Sequence, residues 1–241
     1  MPRRRSESMQ KPPFPLVQAL LGFSFILVLL SGLAWWHLGQ AAAGDVEAWK
    51  TWDFLAVGAN YSMPAWWGRF LRLGGGWFCW NAALGAKRMR WWWGLMTLVL
   101  LFSAVRSVEV DEVWINFGQT FFDLTEAEFY ALRDLVVGAL RVALPLLAGI
   151  GIVLRRWPQR LLLPIAMAMF LYFAGSLGLT TLLGEPGANL RAYSADTIVL
   201  LHVKELLDFT AVTLLLWVAR STVKWVWLNH NRQAVVPADD E

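Results

Sequence analysis

The chain reads as an all-α, polytopic transmembrane helix bundle of six spans with both termini in the cytoplasm. Three observations predict this. Apolar residues arrive in long blocks, basic residues collect in alternate connections between the blocks, and tryptophans gather at block edges. Of the 241 residues, 57% are hydrophobic and 16% charged, a more apolar and less charged balance than an ordinary soluble domain shows. The formal charge is only +3, and Lys and Arg are scattered in short clusters. That distribution offers no basic face to nucleic acid. The single cysteine, Cys79, excludes an intrachain disulfide and a Cys-based zinc motif.

A spanning helix needs about 20 mostly apolar residues to cross roughly 30 Å of hydrocarbon. The segments that meet this requirement lie near residues 15–36, 64–85, 91–108, 134–154, 160–183 and 196–218. They leave cytoplasmic tails at 1–13 and 219–241 and make residues 1–241 a single integral membrane domain. The second segment, "PAWWGRFLRLGGGWFCWNAALGA", is the least apolar, because it holds Arg69, Arg72 and a glycine triplet. Short cytoplasmic connections collect positive charge, and this supports the count. Six spans put Arg3 to Arg5, Lys87, Arg88, Arg90, Arg155, Arg156, Arg160, Arg220 and Lys224 on one side. The other side receives acidic residues such as Asp45, Glu47, Glu126, Glu128, Glu185 and Asp196. Without the second span the later basic connections would fall on the acidic side.

Many of the 16 tryptophans fall where these spans end, as expected of indoles that bury a ring and keep an N–H wet. Trp35, Trp36, Trp66 and Trp67 mark outer boundaries, while Trp91 to Trp93, Trp157 and Trp217 mark inner ones. The opening "RRR", an apolar run and "GQAAAGD" share features with a cleaved secretory signal ending by residue 43. The run is longer than a usual signal core and ends in interfacial tryptophans, so a retained anchor is expected. "DVEAWKTWDFLAV" is short and amphipathic enough to lie along the outer interface. "TEAE" at Thr125 to Glu128 fits a capping box that starts the fourth helix. Pro145 and Pro164 are candidate bends within the fourth and fifth helices.

Charges inside spans are costly and ordinarily face a protein interior or a wet cavity. "TIVLLHVKELLDFTAVTLLLWVA" carries His202, Lys204, Glu205 and Asp208 inside the sixth span. The alternating topology puts them in the same outer layer as Arg69 and Arg72 of the second span and Arg141 of the fourth. Arg106, Glu109, Asp111 and Glu112, at the end of the third, complete the candidate cluster. Helical geometry makes neighbours of Lys204 and Asp208, of His202 and Glu205, and of Glu205 and Asp208. The cluster is open to three readings: an ion-pair network that fixes helix packing, a cavity for an ion, proton or anionic headgroup, and a membrane-embedded hydrolase using clustered carboxylates. One histidine beside Lys204 and several arginines is a poor match to a metal site, so no metal and no cofactor are expected. Gly74 to Gly76 suggest close helix packing rather than a phosphate loop. Neither Ser62 nor Ser107 sits in a nucleophile elbow.

Three segments, "SMPAWWGRFLRL", "SVEVDEVWINFGQ" and "VKELLDFTA", together resemble an uncharacterised family of bacterial multi-pass membrane proteins. That family carries Pro-Thr-Trp, Ser-x-Asp-Glu and Glu-Glu-x-x-Glu elements in this order. The resemblance singles out Asp111, Glu112, Glu205 and Asp208, with Lys204 in place of the first glutamate of the last element. The family's His-Glu after the third span is replaced by Phe117 and Gly118. The resemblance implies topology and site location, not a reaction. The expected role is therefore small-ligand, ion or lipid-headgroup binding, or membrane assembly, in the inner membrane. Membrane lipids and a membrane-protein partner or second copy are the expected partners.

Overall fold

The computed structural model of the chain describes residues 14–40, 45–57, 62–86, 89–105, 125, 127–128, 143, 145–151, 159–179 and 194–234. All secondary structure among these residues is helical. In chain order the helices are α1 (Phe14–Gln40), α2 (Val46–Leu55), α3 (Met63–Gly85), α4 (Arg90–Val105), α5 (Gln159–Phe173) and α6 (Ala195–Ala234). A π-helical segment, Ala174–Leu179, follows α5 directly, and residues 145–151 form a further helical stretch.

α6 is the central element and packs against α1, α3, α5 and the π segment. Side-chain neighbours fix the directions. Gly68 of α3 faces Phe209, and Gly75 faces Val212, so α3 and α6 run parallel. α4 returns beside α3 after a short connection, bringing Leu100 and Leu101 against Gly75 and Gly76. Gly75 would place a Cβ 3.1 Å from Leu100 and 3.6 Å from Val212. A single glycine thus lets two helices close on α3 from different sides. The main core unites Leu71, Cys79 and Ala82 of α3, Trp93, Met96 and Leu100 of α4, Ile165 and Ala168 of α5, and Phe209, Val212 and Val218 of α6. A Cβ at Gly151 would overlap the Trp92 ring, which shows how closely the helical stretch 145–151 lies on α4.

α1 is apolar around its whole circumference, the pattern of a helix without a water-facing side, and its buried polar residues are Ser24 and Ser31. The Ser24 hydroxyl donates to the Leu20 carbonyl at 2.8 Å and accepts from Trp67 Nε1 at 2.8 Å. α2 begins at Asp45, whose carboxylate accepts from the Glu47 and Ala48 amides at 3.0 and 3.1 Å, an N-cap that satisfies free helix donors. Its Ala48 and Trp52 pack with Trp35, Leu38, Val57 and Leu201 in a second, smaller core. The opposite face carries the exposed Lys50–Glu47 pair at 2.9 Å. α2 is therefore the short amphipathic helix expected from its sequence.

Among the described residues, one helix is by itself long and apolar enough to cross a membrane: Leu16–Gln40, 25 residues containing an 18-residue stretch with a mean hydropathy of 2.3. The others fall short for physical reasons visible in their sequences. α4 covers 16 described residues, a rise of roughly 24 Å. α3 is diluted by Arg69, Arg72 and its glycines, and α6 carries the four ionisable residues near its N-terminal end.

At Thr125 the expected capping box is formed: the Glu128 carboxylate accepts from the Thr125 amide at 3.0 Å and from its hydroxyl at 2.7 Å. The Glu128 amide in turn donates to the Thr125 hydroxyl at 3.4 Å. The hydroxyl and amide donors hold the Glu128 carboxyl below its usual range. A lowered folded-state pKa stabilises the helix start above the ordinary glutamate pKa, and that contribution is lost as pH falls through the lowered value. The protection of the Glu128 amide, taken relative to the intrinsic exchange rate at each pH, should drop over that acidic range, and Glu128→Ala should remove the pH step. Trp52→Ala removes one of the two buried tryptophans of the second core and should cost about 3 kcal/mol locally. Hydrogen exchange should show loss of protection across 46–55 while α3, α4 and α6 keep theirs.

A buried charge cluster between two parallel helices

Four charged side chains converge where the N-terminal parts of α3 and α6 lie side by side. Lys204 Nζ stands 3.0 Å from Glu205 Oε1 and 3.7 Å from Asp208 Oδ2, and Arg72 Nη2 is 4.0 Å from the same Asp208 oxygen. Lys204 and Asp208 meet because residues four apart share a helical face. Lys204 and Glu205 are consecutive, yet the long lysine stem bends far enough to hydrogen-bond the Glu205 carboxylate. Asp208 is 4% exposed, so this carboxylate is held almost entirely by protein.

Two glycines set the fit. A Cβ on Gly175, in the π segment, would lie 2.7 Å from Asp208 Oδ1, 3.3 Å from Leu207 Cβ and 3.3 Å from the Lys204 carbonyl oxygen. A Cβ on Gly68 would lie 2.8 Å from Arg72 Nη1 and 3.1 Å from Phe209 Cε1. At Gly175 the backbone thus comes within contact of both the Asp208 carboxylate and the α6 main chain, whereas at Gly68 the close neighbours are side-chain ends. Next to them, Arg69 is buried at 4% exposure, and its guanidinium carbon lies 4.8 Å from the Trp66 ring centre, within cation–π range.

His202 faces α1. Its Nδ1 lies 2.7 Å from the Ile198 carbonyl and its Nε2 2.9 Å from Ser31 Oγ. A carbonyl can only accept, so the network assigns a proton to Nδ1. The Ser31 hydroxyl also accepts from the Val57 amide at 2.8 Å, leaving its own proton for Nε2. One serine therefore joins α1, the end of α2 and α6. With both ring nitrogens engaged, His202 turns no lone pair toward Glu205 or Asp208, and the Lys204 ammonium occupies the place between those carboxylates that a cation would take.

The structure brings Arg72, Lys204, Glu205 and Asp208 together, sets Arg69 beside them on α3 and directs His202 to Ser31. Arg106, Glu109, Asp111, Glu112 and Arg141 lie outside the described residues. Sequence reasoning missed Ser31, Gly68 and Gly175. Ser24 and Ser31 did carry a signal: they are seven apart, so they share one face of an otherwise apolar helix with a drift of only ~20°. Gly175 carried none, because its importance comes from the π-helical path that turns its backbone onto Asp208. No family model, curated protein or solved structure matches this chain.

Gly175→Ala should destabilise the fold by about 1–3 kcal/mol, since its nearest obstacles include a backbone carbonyl that cannot swing aside. Gly22→Ala, where nothing lies within 4 Å of the added carbon, is the control and should leave thermal stability unchanged or slightly raised.

Proposed function

We propose that the chain is a six-span protein of the cytoplasmic membrane with both ends inside. Its charged layer is a helix-locking element of a non-catalytic binding or assembly protein. The inverted distribution of side chains carries this reading. Arg69 and Asp208 are each 4% exposed, whereas Trp91 is 85%, Phe170 71% and Leu163 69% exposed. Charges inside and bulky apolar groups outside suit a molecule whose surroundings are hydrocarbon.

The helix directions support the same topology. Six alternating spans require the second and sixth to run parallel and the first and fifth to oppose them. α3 and α6 are parallel. α1 opposes α6, because Trp35 packs with Leu201 while Ser31 meets His202 farther along. α5 leads into Gly175 beside Asp208, with Ala168 and Met169 farther back near Leu215, again the opposed sense. The family resemblance in the three quoted segments belongs to this proposal too, since it implies the same arrangement.

Among the three roles for the cluster, mutual pairing favours the structural one. A hydrolase needs a carboxylate free to take or give a proton to a substrate, whereas Glu205 and Asp208 share Lys204, with Arg72 behind Asp208. Removing one partner from a buried pair typically costs about 3–5 kcal/mol, because the remaining charge is stranded. Lys204→Met, which removes the ammonium that Glu205 and Asp208 share and leaves Asp208 to Arg72, should therefore lower stability in detergent more than Glu205→Gln. Asp208→Asn should fall between them. If all three variants melt with the wild type, the locking role is wrong and the charges serve a ligand. Cysteine labelling from either side of sealed vesicles tests the topology: single cysteines introduced within residues 1–13 or 235–241 should react only from the cytoplasmic face, with the buried Cys79 as the silent background.

A further inference from the structure

Between α3 and α4 the surface carries a groove of about 900 Å³, with Gly76 and Gly94 among its lining residues and Trp77, Trp80, Trp91 and Arg90 along it. Arg90 is exposed, as are Trp77 and Trp80 at 65% and 48%. The groove extends along α3 from Leu73 to Leu84 and along α4 from Arg90 to Leu101. Eleven residue steps of helix rise roughly 16 Å. That is about half of the roughly 30 Å hydrocarbon thickness.

We propose that this groove holds one anionic phospholipid of the cytoplasmic leaflet, its acyl chain along Gly76 and Gly94 and its headgroup at Arg90. Three features select this occupant over a partner helix. The length matches one leaflet, while a spanning helix needs a track of both. Arg90, at one end, is the only charged residue among the described residues of the lining; Thr97 also lines it, but its hydroxyl donates to the Trp93 carbonyl at 3.0 Å, and the sequence adds Lys87 and Arg88 to the connection at the Arg90 end. A positive end on an apolar track complements an amphiphile with a negative head, and basic groups at this depth attract anionic lipid. Exposed tryptophans flank the track with flat, rigid surfaces suited to acyl chains and to the interface. The inference rests on the membrane topology proposed above, because that topology puts the α3–α4 connection on the cytoplasmic side.

The test is native mass spectrometry of the full chain in detergent, equilibrated with equal phosphatidylglycerol and phosphatidylcholine of identical acyl chains. One phosphatidylglycerol per chain should be retained, with about fivefold preference over phosphatidylcholine for each basic residue engaged. Arg90→Gln should lose about that factor of preference. Gly94→Leu projects into open space, since nothing lies within 4 Å of an added Cβ. It should keep the wild-type melting temperature while reducing retention of both lipids. Equal retention of the two lipids by the wild type, or unchanged retention by Gly94→Leu, overturns the proposal. So does a dimer that Gly94→Leu dissociates, which would make a second copy the occupant. Alkaline carbonate extraction separates this from the underlying reading: release of the chain from membranes sinks the topology, whereas lipid parity in a chain that stays embedded sinks the groove site alone.

Discussion

The position of Asp208 constrains the rest of the structure. A carboxylate almost wholly removed from solvent must be met by positive charge, and Lys204 on its own helix supplies the first share at 3.7 Å, with Arg72 from α3 at 4.0 Å. The Arg72 contact requires α3 to lie close beside α6, which Gly68 and Gly75 permit, and it sets the level at which the two helices meet. The other side of Asp208 is covered by Gly175, so the chain after α5 must pass at backbone distance. The π-helical turn, which widens the ordinary helical ring, lies at this point of close approach. One buried charge therefore relates α3, α5 and α6.

The same logic extends outward through weaker ties. Trp67 of α3 donates to Ser24, and Ser31 meets His202 of α6 while accepting from Val57. α1 is thereby joined to both helices of the charged pair, on one face and at two levels. Each tie is an ordinary hydrogen bond, worth about 1 kcal/mol net. Leaving either serine's partner unpaired in a dry interior would cost more than the bond gains. Their value lies in that asymmetry: the apolar surface of α1 packs at many levels, while the polar groups are satisfied at one.

The all-helical fold and its charged layer were legible from coarse features of the sequence: block length and the burial cost of charges within apolar runs. Those features set the helix starts at Met63, Arg90, Gln159 and Ala195 within a residue or so. They also brought Arg72, Lys204 and Asp208 to one layer. The partner of His202 was not legible. A period-based reading sets His202 beside Glu205 on the same helix, whereas a serine on a distant helix offered a better-placed hydrogen bond. Nor was Gly175 legible, because a glycine in "YFAGSLGL" looks like any small residue in a span until the path of the backbone is known. Local periodicity specifies which face a residue occupies; only packing specifies what that face meets.

A protein core of this kind could be made more apolar without loss of stability, since well-packed hydrophobic side chains often match or exceed buried ion pairs. What hydrophobic replacements cannot supply is register. Helices rich in Leu, Val, Ala and Phe, such as α1, α4 and the later part of α6, present surfaces that repeat nearly every turn. A slip of one turn, roughly 5.4 Å, would preserve much of their apolar contact. The same slip between α3 and α6 would carry Arg72 away from Asp208, and a slip of α1 would take Ser31 from His202 and Val57. Polar ties of unequal chemistry, placed on different faces of one central helix, leave a single alignment in which Arg72 meets Asp208 while Ser31 meets both His202 and Val57. In the hydrocarbon surroundings proposed for this chain, where apolar contact distinguishes poorly between one helix surface and another, such ties would give an otherwise slippery bundle a defined structure.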